Sequence, residues 1–143
     1  MFIALIQRLR KLYWFVFRPR TTGVKCLICC QDEVLLIRNS YGTNIWTLPG
    51  GGVKRAETPL AAIIREVLEE VGVEGGEWKE LGAYESTLEY KRDTIYCFIL
   101  TVPSREFRLR SSELTEAKWF NISKLPRDTS SSVAKTINFM RSQ

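Results

Sequence analysis

The chain has 143 residues, which favours one domain that buries roughly 68–70% of the surface of its unfolded chain. Its hydrophobic content of 45% is ordinary for a globular protein, and no repeat or low-complexity tract is present. The formal net charge of +5 favours anionic ligands such as nucleotides, anionic lipid or RNA, although it also suits a plain basic surface. Histidine is absent, which excludes metal sites that depend on imidazole.

The first 18 residues, MFIALIQRLRKLYWFVFR, predict an amphipathic basic helix, because apolar side chains recur every three or four positions. The apolar runs at residues 1–6 and 12–17 are too short to span a bilayer, and the basic residues follow the first run instead of preceding it as in a signal peptide. Two interpretations stay open: peripheral contact of residues 1–18 with an anionic membrane, or packing against the domain or a second subunit in a homodimer. We assign residues 1–20 to this helix and residues 21–143 to one folded domain.

The rest of the chain alternates between strand-like and helix-like patterns. Short apolar runs bounded by turn residues predict strands at residues 24–30, 34–38, 77–90, 94–102 and 117–120. The first two of these strands are joined by a predicted turn at Gln31-Asp32. A final helix is predicted over residues 130–140, with Ser131 or Ser132 as its N-cap.

The four cysteines are Cys26, Cys29, Cys30 and Cys97. The spacing of Cys26 and Cys29 suits a metal or redox site, but no second pair at zinc spacing exists. We therefore predict free, buried thiols that act as small hydrophobic side chains. Free thiols indicate a reducing compartment, so we expect a cytoplasmic location, which becomes membrane-peripheral if residues 1–18 bind lipid.

Residues 50–73, GGGVKRAETPLAAIIREVLEEVGV, combine three glycines, a short loop and a predicted helix over residues 58–71. At about 100° per residue, three carboxylates share one sector of this helix, and apolar side chains form a second sector that we expect to be buried. The carboxylates are Glu66, Glu69 and Glu70, and the apolar side chains are Leu60, Ile64, Val67, Leu68 and Val71. Like charges at this spacing repel by roughly 0.2–0.5 kcal/mol per pair, so the cluster suits a hard cation, Mg²⁺ first and Mn²⁺ second.

The same stretch resembles a known motif. The order Gly51, five residues, Glu57, seven residues and then Arg65-Glu66-Val67-Leu68-Glu69-Glu70-Val71-Gly72-Val73 resembles the Nudix box, G-x5-E-x7-R-E-U-x-E-E-x-G-U, in which U is aliphatic. Every fixed position is filled, and residues 46–50 resemble the usual run-in of the family. One departure is Ala56, where many members have glycine, and we expect a small change of loop conformation there.

The resemblance implies an α/β fold of the Nudix type, an α/β/α sandwich with a mixed β-sheet, to which the N-terminal helix is added. It also implies metal-dependent hydrolysis of the pyrophosphate bond in a nucleoside diphosphate linked to a group X. In this chain Glu66 and Glu70 are expected to hold the cation, with the carbonyl of Gly51 as another ligand.

The resemblance also assigns roles to the neighbouring charged residues. Glu69 is expected to be a further ligand or the base, and Glu57 to bridge to the metal or orient it. Arg65 is expected to orient Glu57 or Glu69. A glutamate before the last strand often reaches the metal site or acts as the base in this family, and Glu113 is preferred to Glu116 for this role.

The strands before the motif help to form the nucleotide pocket in the resembled family, and glycines let the backbone approach a ligand closely. The substrate-binding candidates are therefore Arg38, Tyr41, Gly50 and Gly52. Tyr90 lies where a tyrosine loosely marks a dinucleoside polyphosphate subgroup, so the identity of X stays open.

A small nucleotide-type substrate is favoured over a stable nucleic-acid partner, since no basic aromatic tract suited to long RNA lies outside the N-terminal helix. Two alternatives are kept. One is a Nudix domain that binds nucleotides as a sensor without catalysis. The other is a membrane-peripheral hydrolase of a lipid-linked diphosphate.

Overall fold

The computed structural model of the protein describes residues 3–9, 20–39, 45–86 and 92–143. Three helices and seven strands lie in this part of the chain. In chain order they are α1 (residues 3–9), β1 (Arg20–Cys30), β2 (Glu33–Asn39), β3 (Trp46–Thr47), β4 (Gly50–Gly52), α2 (Pro59–Val71), β5 (Glu77–Ser86), β6 (Arg92–Thr101), β7 (Leu114–Asn121) and α3 (Ser131–Arg141).

The strands form one mixed sheet in the order β3-β2-β1-β6-β5, with β4 added beside β1 and β7 beside β2. Strands β1 and β6 are parallel, and the other strand pairs are antiparallel. Alternate residues of β1 point to opposite faces of the sheet, so Cys26 and Ile28 pack under α2, whereas Leu27 and Cys29 pack under α3. A mixed sheet with a helix on each face confirms the predicted fold class.

Local signals explain where α2 begins and ends. The hydroxyl of its N-cap, Thr58, accepts a hydrogen bond from the backbone N–H of Ala61 at 3.1 Å, and Pro59 occupies the first turn. Gly72 ends the helix in the left-handed conformation, with φ of 67°, and its N–H donates to the carbonyl of Leu68.

The prediction of two separate sectors on α2 is wrong. Leu60 and Ile64 are exposed, and the buried apolar residues of the helix are Ala62, Ile63, Val67 and Val71. On a helical wheel this buried stripe includes the positions of Glu66 and Glu70. These two carboxylates therefore face inward with the apolar residues and not away from them.

The N-terminal helix is present over residues 3–9, and its side chains at Leu5, Ile6 and Leu9 are exposed. Residues 10–19 lie outside the described residues, so the extent of the helix to residue 18 and the domain boundary at residue 20 stay predictions. Tyr41 and Tyr90 also lie outside the described residues. No helix in the described segments is long and apolar enough to cross a membrane.

Two smaller predictions can be compared directly. All four cysteines are free and buried, as predicted. The N-cap of α3 is Ser130 instead of Ser131 or Ser132, because Ser130 has the extended backbone of a cap, with φ of −67° and ψ of 154°.

Candidate active site

The three glycines of β4 allow two elements to approach each other closely. A Cβ atom on Gly50 would lie 2.0 Å from the carbonyl oxygen of Val24 on β1. A Cβ atom on Gly51 would lie 2.5 Å from the carboxyl group of Glu66 on α2, whereas one on Gly52 would meet nothing within 4 Å. Strand β4 is thus wedged between the sheet and the acidic helix: the backbone of Val24 leaves no room for a side chain at Gly50, and a side chain at Gly51 would displace the carboxyl group of Glu66.

Arg65 joins the loop after β4 to helix α2. Its Nε and Nη2 atoms donate to the two carboxylate oxygens of Glu57 at 2.9 and 3.0 Å, and Nη2 also donates to the carbonyl of Gly52 at 3.0 Å. Its Nη1 donates to Glu66 at 2.8 Å and to Glu69 at 3.4 Å. Two parallel hydrogen bonds from one guanidinium fix both the position and the orientation of a carboxylate. Arg65 therefore holds the Glu57 side chain in one place and also stabilises its negative charge.

The charge of Arg65 also determines the protonation of Glu57. Hydrogen bonds from Arg65, and then from the backbone N–H of Lys54, lower the pKa of Glu57 to about 2. The same pairing raises the pKa of Arg65 above its ordinary value. Glu57 is therefore ionised throughout the physiological pH range.

Glu66 and Glu70 have the opposite electrostatics. Burial raises the pKa of Glu70 to about 8, although one of its oxygens accepts a hydrogen bond from the N–H of Gly50 at 2.9 Å. Burial also raises the pKa of Glu66, and the hydrogen bond from Arg65 opposes that change. The charge of Glu113 raises the pKa of both residues, so Glu113 lies near them.

The loop before β7 carries Glu113 to this place. Backbone N–H groups of Arg108 and Arg110 donate to the carbonyls of Val71 and Glu70 at 2.8 and 2.9 Å, which fastens the loop to the C-terminal end of α2. The N–H of Glu113 then donates to the hydroxyl of Ser111 at 3.2 Å. Glu113 therefore lies within electrostatic reach of Glu66 and Glu70, and its catalytic role stays a prediction.

Glu116 and Arg38 lie elsewhere and pair with each other. Their shortest N–O distance is 3.5 Å, and the guanidinium of Arg38 lies 4.3 Å from the centroid of the Trp46 ring. The register of β2 and β7 places these two residues opposite each other. Neither residue lines the cavity described below, so a substrate-binding role for Arg38 stays a prediction.

The donor set suits a hard divalent cation, although the carboxylates are not arranged as a finished cage. Among the described residues, no three side chains of metal-binding type converge on one point. Arg65 holds Glu57, Glu66 and Glu69, and β4 holds Glu70. Partly buried carboxylates whose pKa neighbouring acids raise are nevertheless groups that a cation would stabilise, and their oxygens are the ligands that Mg²⁺ and Mn²⁺ prefer.

A cavity of about 930 Å³ opens beside these residues on the α3 face of the sheet. Gly51, Gly52 and Glu57 line it, so the motif forms one of its walls. Sequence reasoning missed the other lining residues that carry charge or rings, which are Lys25, Lys54, Arg55, Tyr84, Asp93 and Lys135. Lys25 could have been found, because it is the one charged residue in the apolar run at residues 24–30.

Comparison with known proteins identifies the family. The family model described as the NUDIX domain matches residues 19–138. Diphosphoinositol polyphosphate phosphohydrolase 3-alpha of Mus musculus is 44% identical over 72 residues, which is 50% of this chain and 43% of that protein. The chain therefore matches less than half the length of this curated relative.

Solved structures agree in fold. The MutT protein of Methanosarcina mazei Go1 is 26% identical with a TM-score of 0.74, over 88% of this chain and 96% of that one. The MutT NUDIX hydrolase of Burkholderia pseudomallei has a TM-score of 0.76 at 21% identity, over 84% of this chain and 97% of that one, and shows the fold alone. Because the family model spans most of the chain and the motif is complete, this protein belongs to the Nudix family.

Proposed function

We propose that the protein hydrolyses the pyrophosphate bond of a nucleoside diphosphate linked to a group X, with Mg²⁺ or Mn²⁺ as its cofactor. The observation that carries the proposal is the position of Gly51, which lines a cavity of about 930 Å³ and also lies against the partly buried carboxylate of Glu66. The reaction needs an anionic diphosphate beside grouped carboxylates and a positioned water. The complete Nudix box supports the same reaction.

Four groups of this chain are proposed to hold the cation. They are the carboxylates of Glu66, Glu70 and Glu69 and the carbonyl of Gly51. A bound divalent cation supplies charge neutralisation at the non-bridging phosphate oxygens and lowers the pKa of an attacking water.

The remaining residues position groups or move a proton. Arg65 holds Glu57 through two hydrogen bonds and so keeps the loop after β4 against α2. Glu113 is the proposed base, because it lies near Glu66 and Glu70 without bonding to Arg65. Glu69 is the alternative base. Its side chain is 54% exposed, and its Oε1 atom lies 3.4 Å from Nη1 of Arg65, which is a long hydrogen bond.

A second candidate substrate comes from the relatives whose names describe diphosphoinositol polyphosphate phosphohydrolases. Four basic residues line the cavity, and they would favour a polyphosphorylated ligand; they are Lys25, Lys54, Arg55 and Lys135. Asp93 also lines the cavity and opposes phosphate groups near it, so we prefer the nucleotide-type substrate.

The contacts of the N-terminal helix are proposed separately. Exposed Leu5, Ile6 and Leu9 support a contact of residues 1–18 with an anionic membrane or with a second copy of the chain. Co-sedimentation with anionic vesicles and measurement of the mass in solution distinguish these contacts, and both are compatible with a cytoplasmic enzyme.

The proposed hydrolysis is tested with a panel of nucleoside diphosphate derivatives and diphosphoinositol polyphosphates. Each is incubated with Mg²⁺, with Mn²⁺ or with chelator, and the products are identified by mass. Glu66→Gln should lower turnover by on the order of 10³-fold, because it removes a charge that holds the cation. Glu74→Gln, which alters an exposed acid just after the motif, is the matched control.

Two results would contradict the proposal. Normal turnover and an unchanged metal requirement in Glu66→Gln would show that Glu66 does not hold the cation for the reaction. Binding of nucleotides without cleavage of any of them would favour the sensor function instead.

A further inference from the structure

Lys25 is a charged residue inside an otherwise apolar part of β1. Its neighbours Val24 and Cys26 are buried, whereas Lys25 is partly buried and lines the cavity. Leu27 packs under α3, so the alternation of side chains along the strand places Lys25 on the same face. A lysine that is enclosed in this way is usually paired with an anion.

The side chain of Lys25 lies across Gly50, next to the acidic motif. The register of β1 and β4 pairs Lys25 with Gly50, and a Cβ atom on Gly50 would lie 3.0 Å from Cδ of Lys25. The N–H of Gly50 donates to Oε1 of Glu70 at 2.9 Å. Gly50 thus connects the two side chains, and it has no side chain of its own that would shield one charge from the other.

The electrostatics agree with this placement. Burial raises the pKa of Glu70 to about 8, and the positive charge of Lys25 opposes that rise. Burial also raises the pKa of the Cys97 thiol, and the charges of Lys25 and Lys135 oppose that rise. The charge of Lys25 therefore reaches both the acidic motif and the floor of the sheet under α3.

The floor of the cavity has a basic end and an acidic end. Lys25 pairs with Cys97 across β1 and β6, and Thr21 pairs with Asp93 four residues away along the same strands. At about 3.3 Å per residue, these two rows are about 13 Å apart. A phosphate group is therefore favoured at the row of Lys25, which is also the end beside Glu70.

We propose that Lys25 binds a phosphate group of the substrate, and that its charge opposes binding of the cation at Glu66 and Glu70 until a diphosphate lies between them. Two positive charges on either side of Gly50 repel each other when no anion separates them. A diphosphate offers oxygens to both charges and so replaces the repulsion with two favourable contacts. This inference rests on the proposed function, because it assigns a phosphate contact of the same substrate.

The contact that Lys25 makes within the protein does not prevent this role. An ammonium group has three N–H donors, so Lys25 can donate to a phosphate oxygen while it keeps another contact. Lysine acts on phosphate as a point charge and does not need the fixed geometry of a guanidinium fork. The positive charge at this position is therefore the property to test.

Two binding measurements by calorimetry test the inference, and neither requires hydrolysis. In the first, Mn²⁺ is added to the protein without any phosphate compound. In the second, methylenediphosphonate, a diphosphate analogue whose bridging carbon cannot be hydrolysed, is added in saturating Mg²⁺. Lys25→Met should bind Mn²⁺ about threefold more tightly, because a positive charge near the carboxylates is removed. It should bind the analogue about tenfold more weakly, because a charged hydrogen bond is lost.

The opposite signs separate a charge contact from damage to the fold, which would weaken binding of both ligands. Lys25→Gln is a second neutral variant and should give the same two changes. Lys25→Arg keeps the charge and should stay within about twofold of the wild type in both measurements. Lys124→Met is the matched control, since Lys124 is exposed in the turn after β7 and does not line the cavity; it should change neither affinity.

The outcomes distinguish this inference from the proposed function. Opposite changes in a protein that cleaves no substrate would support phosphate binding at Lys25 and contradict the enzyme. Hydrolysis with kcat and KM unchanged in Lys25→Met would support the enzyme and overturn the role of Lys25. That role is also overturned if the wild type does not bind methylenediphosphonate, or if the neutral variants show any other pair of changes.

Discussion

The two faces of the sheet hold polar groups in different ways. On the α2 face, carboxylates are partly buried, and hydrogen bonds from Arg65 and from the backbone of Gly50 hold them in place. On the α3 face, the polar groups near the cavity are hydroxyls that bond to one another: Ser130 lies 2.9 Å from Thr47 and 2.7 Å from Ser132. The α2 face therefore has carboxylates that hydrogen bonds hold in place, whereas the cavity on the α3 face combines hydroxyls that bond to one another with charged side chains such as Lys135 and Asp93.

This difference separates the residues that would carry out the reaction from the residues that would select the ligand. Stabilising a charged transition state requires groups that are already oriented, which is what Arg65 and β4 provide. Selecting a ligand requires groups that can be exchanged without loss of the core, and Lys135 and Asp93 are such groups. Strand β4 joins the two faces, because Gly51 touches Glu66 and also lines the cavity.

The largest expected effect tests whether β4 really joins the two faces. Gly50→Ala places a methyl group 2.0 Å from the carbonyl oxygen of Val24, so β4 must leave β1. We expect the free energy of unfolding to fall by about 3 kcal/mol or more, measured by urea denaturation. Gly52→Ala is the control and should change stability by less than about 0.5 kcal/mol, because nothing lies within 4 Å of the added atom. Equal stability of the two variants would contradict the wedged position of β4.

The next effect tests the fixed charge of the α2 face through pH. The pKa of Glu70 is raised from 4.5 to about 8 in the folded protein, so the folded state binds more protons between these values. The stability of the protein in chelator should therefore be highest near pH 5 and fall as the pH rises to 8, by up to about 1.4 kcal/mol per pH unit before solvent screening. Glu70→Gln should remove this fall, because a neutral amide has no charge to bury.

Thermal denaturation at pH 5 and pH 8 checks this prediction. The variant and the wild type should melt together at pH 5, and the variant should be the more stable at pH 8. Added Mg²⁺ should reverse that order by stabilising the wild type. The prediction is contradicted if the stability of the wild type in chelator rises between pH 5 and pH 8 and the variant behaves in the same way. That result would show that burial does not penalise the ionised form of Glu70.

A smaller effect tests the geometry that Arg65 imposes. Arg65→Lys keeps the positive charge but loses the fork that holds both oxygens of Glu57. We expect kcat/KM to fall by about 10- to 100-fold, as is usual when a residue that orients metal ligands is replaced. Arg127→Lys, at an exposed position, should keep full activity. Full activity of Arg65→Lys would mean that charge alone is sufficient.

The smallest effect concerns the loop between β4 and α2. Ala56 has φ of 64°, a left-handed conformation that costs an alanine about 1–2 kcal/mol. Ala56→Gly should therefore stabilise the protein by up to about 1 kcal/mol, after the greater entropy loss of glycine is subtracted. Ala134→Gly, inside α3, should destabilise it by about 1 kcal/mol. A destabilised Ala56→Gly would show that the loop depends on the methyl group.

Much of α2 could be read from the sequence because its signals are local. Thr58, Pro59 and Gly72 mark the ends of the helix through hydrogen bonds within one turn. The departure at Ala56 was expected to change the loop, and its positive φ shows how the chain accommodates alanine there. The inward orientation of Glu66 and Glu70 was missed, because helix periodicity gives only relative positions around the axis. Which side of the helix is buried depends on how closely β4 and the sheet pack against it.

The preference for Glu113 over Glu116 needed a long-range fact to support it. The register of β2 and β7 places Glu116 opposite Arg38, while the loop fastened to α2 carries Glu113 to the acids. Both glutamates are close in sequence, so spacing alone could not separate them. Pairing between strands that lie about 80 residues apart places Glu116 beside Arg38, and the role of Glu113 stays a prediction.

The sequence by itself determined the family, the acidic motif and the free cysteines, because each depends on residue type and on spacing along the chain. The cavity was decided only by the tertiary structure. Its floor needs β1, β6 and β5 in register, and its rim needs α3 and β4, which come from distant parts of the chain. Lys135 and Asp93 become neighbours of one tyrosine only when parallel and antiparallel pairing place their strands and helix together.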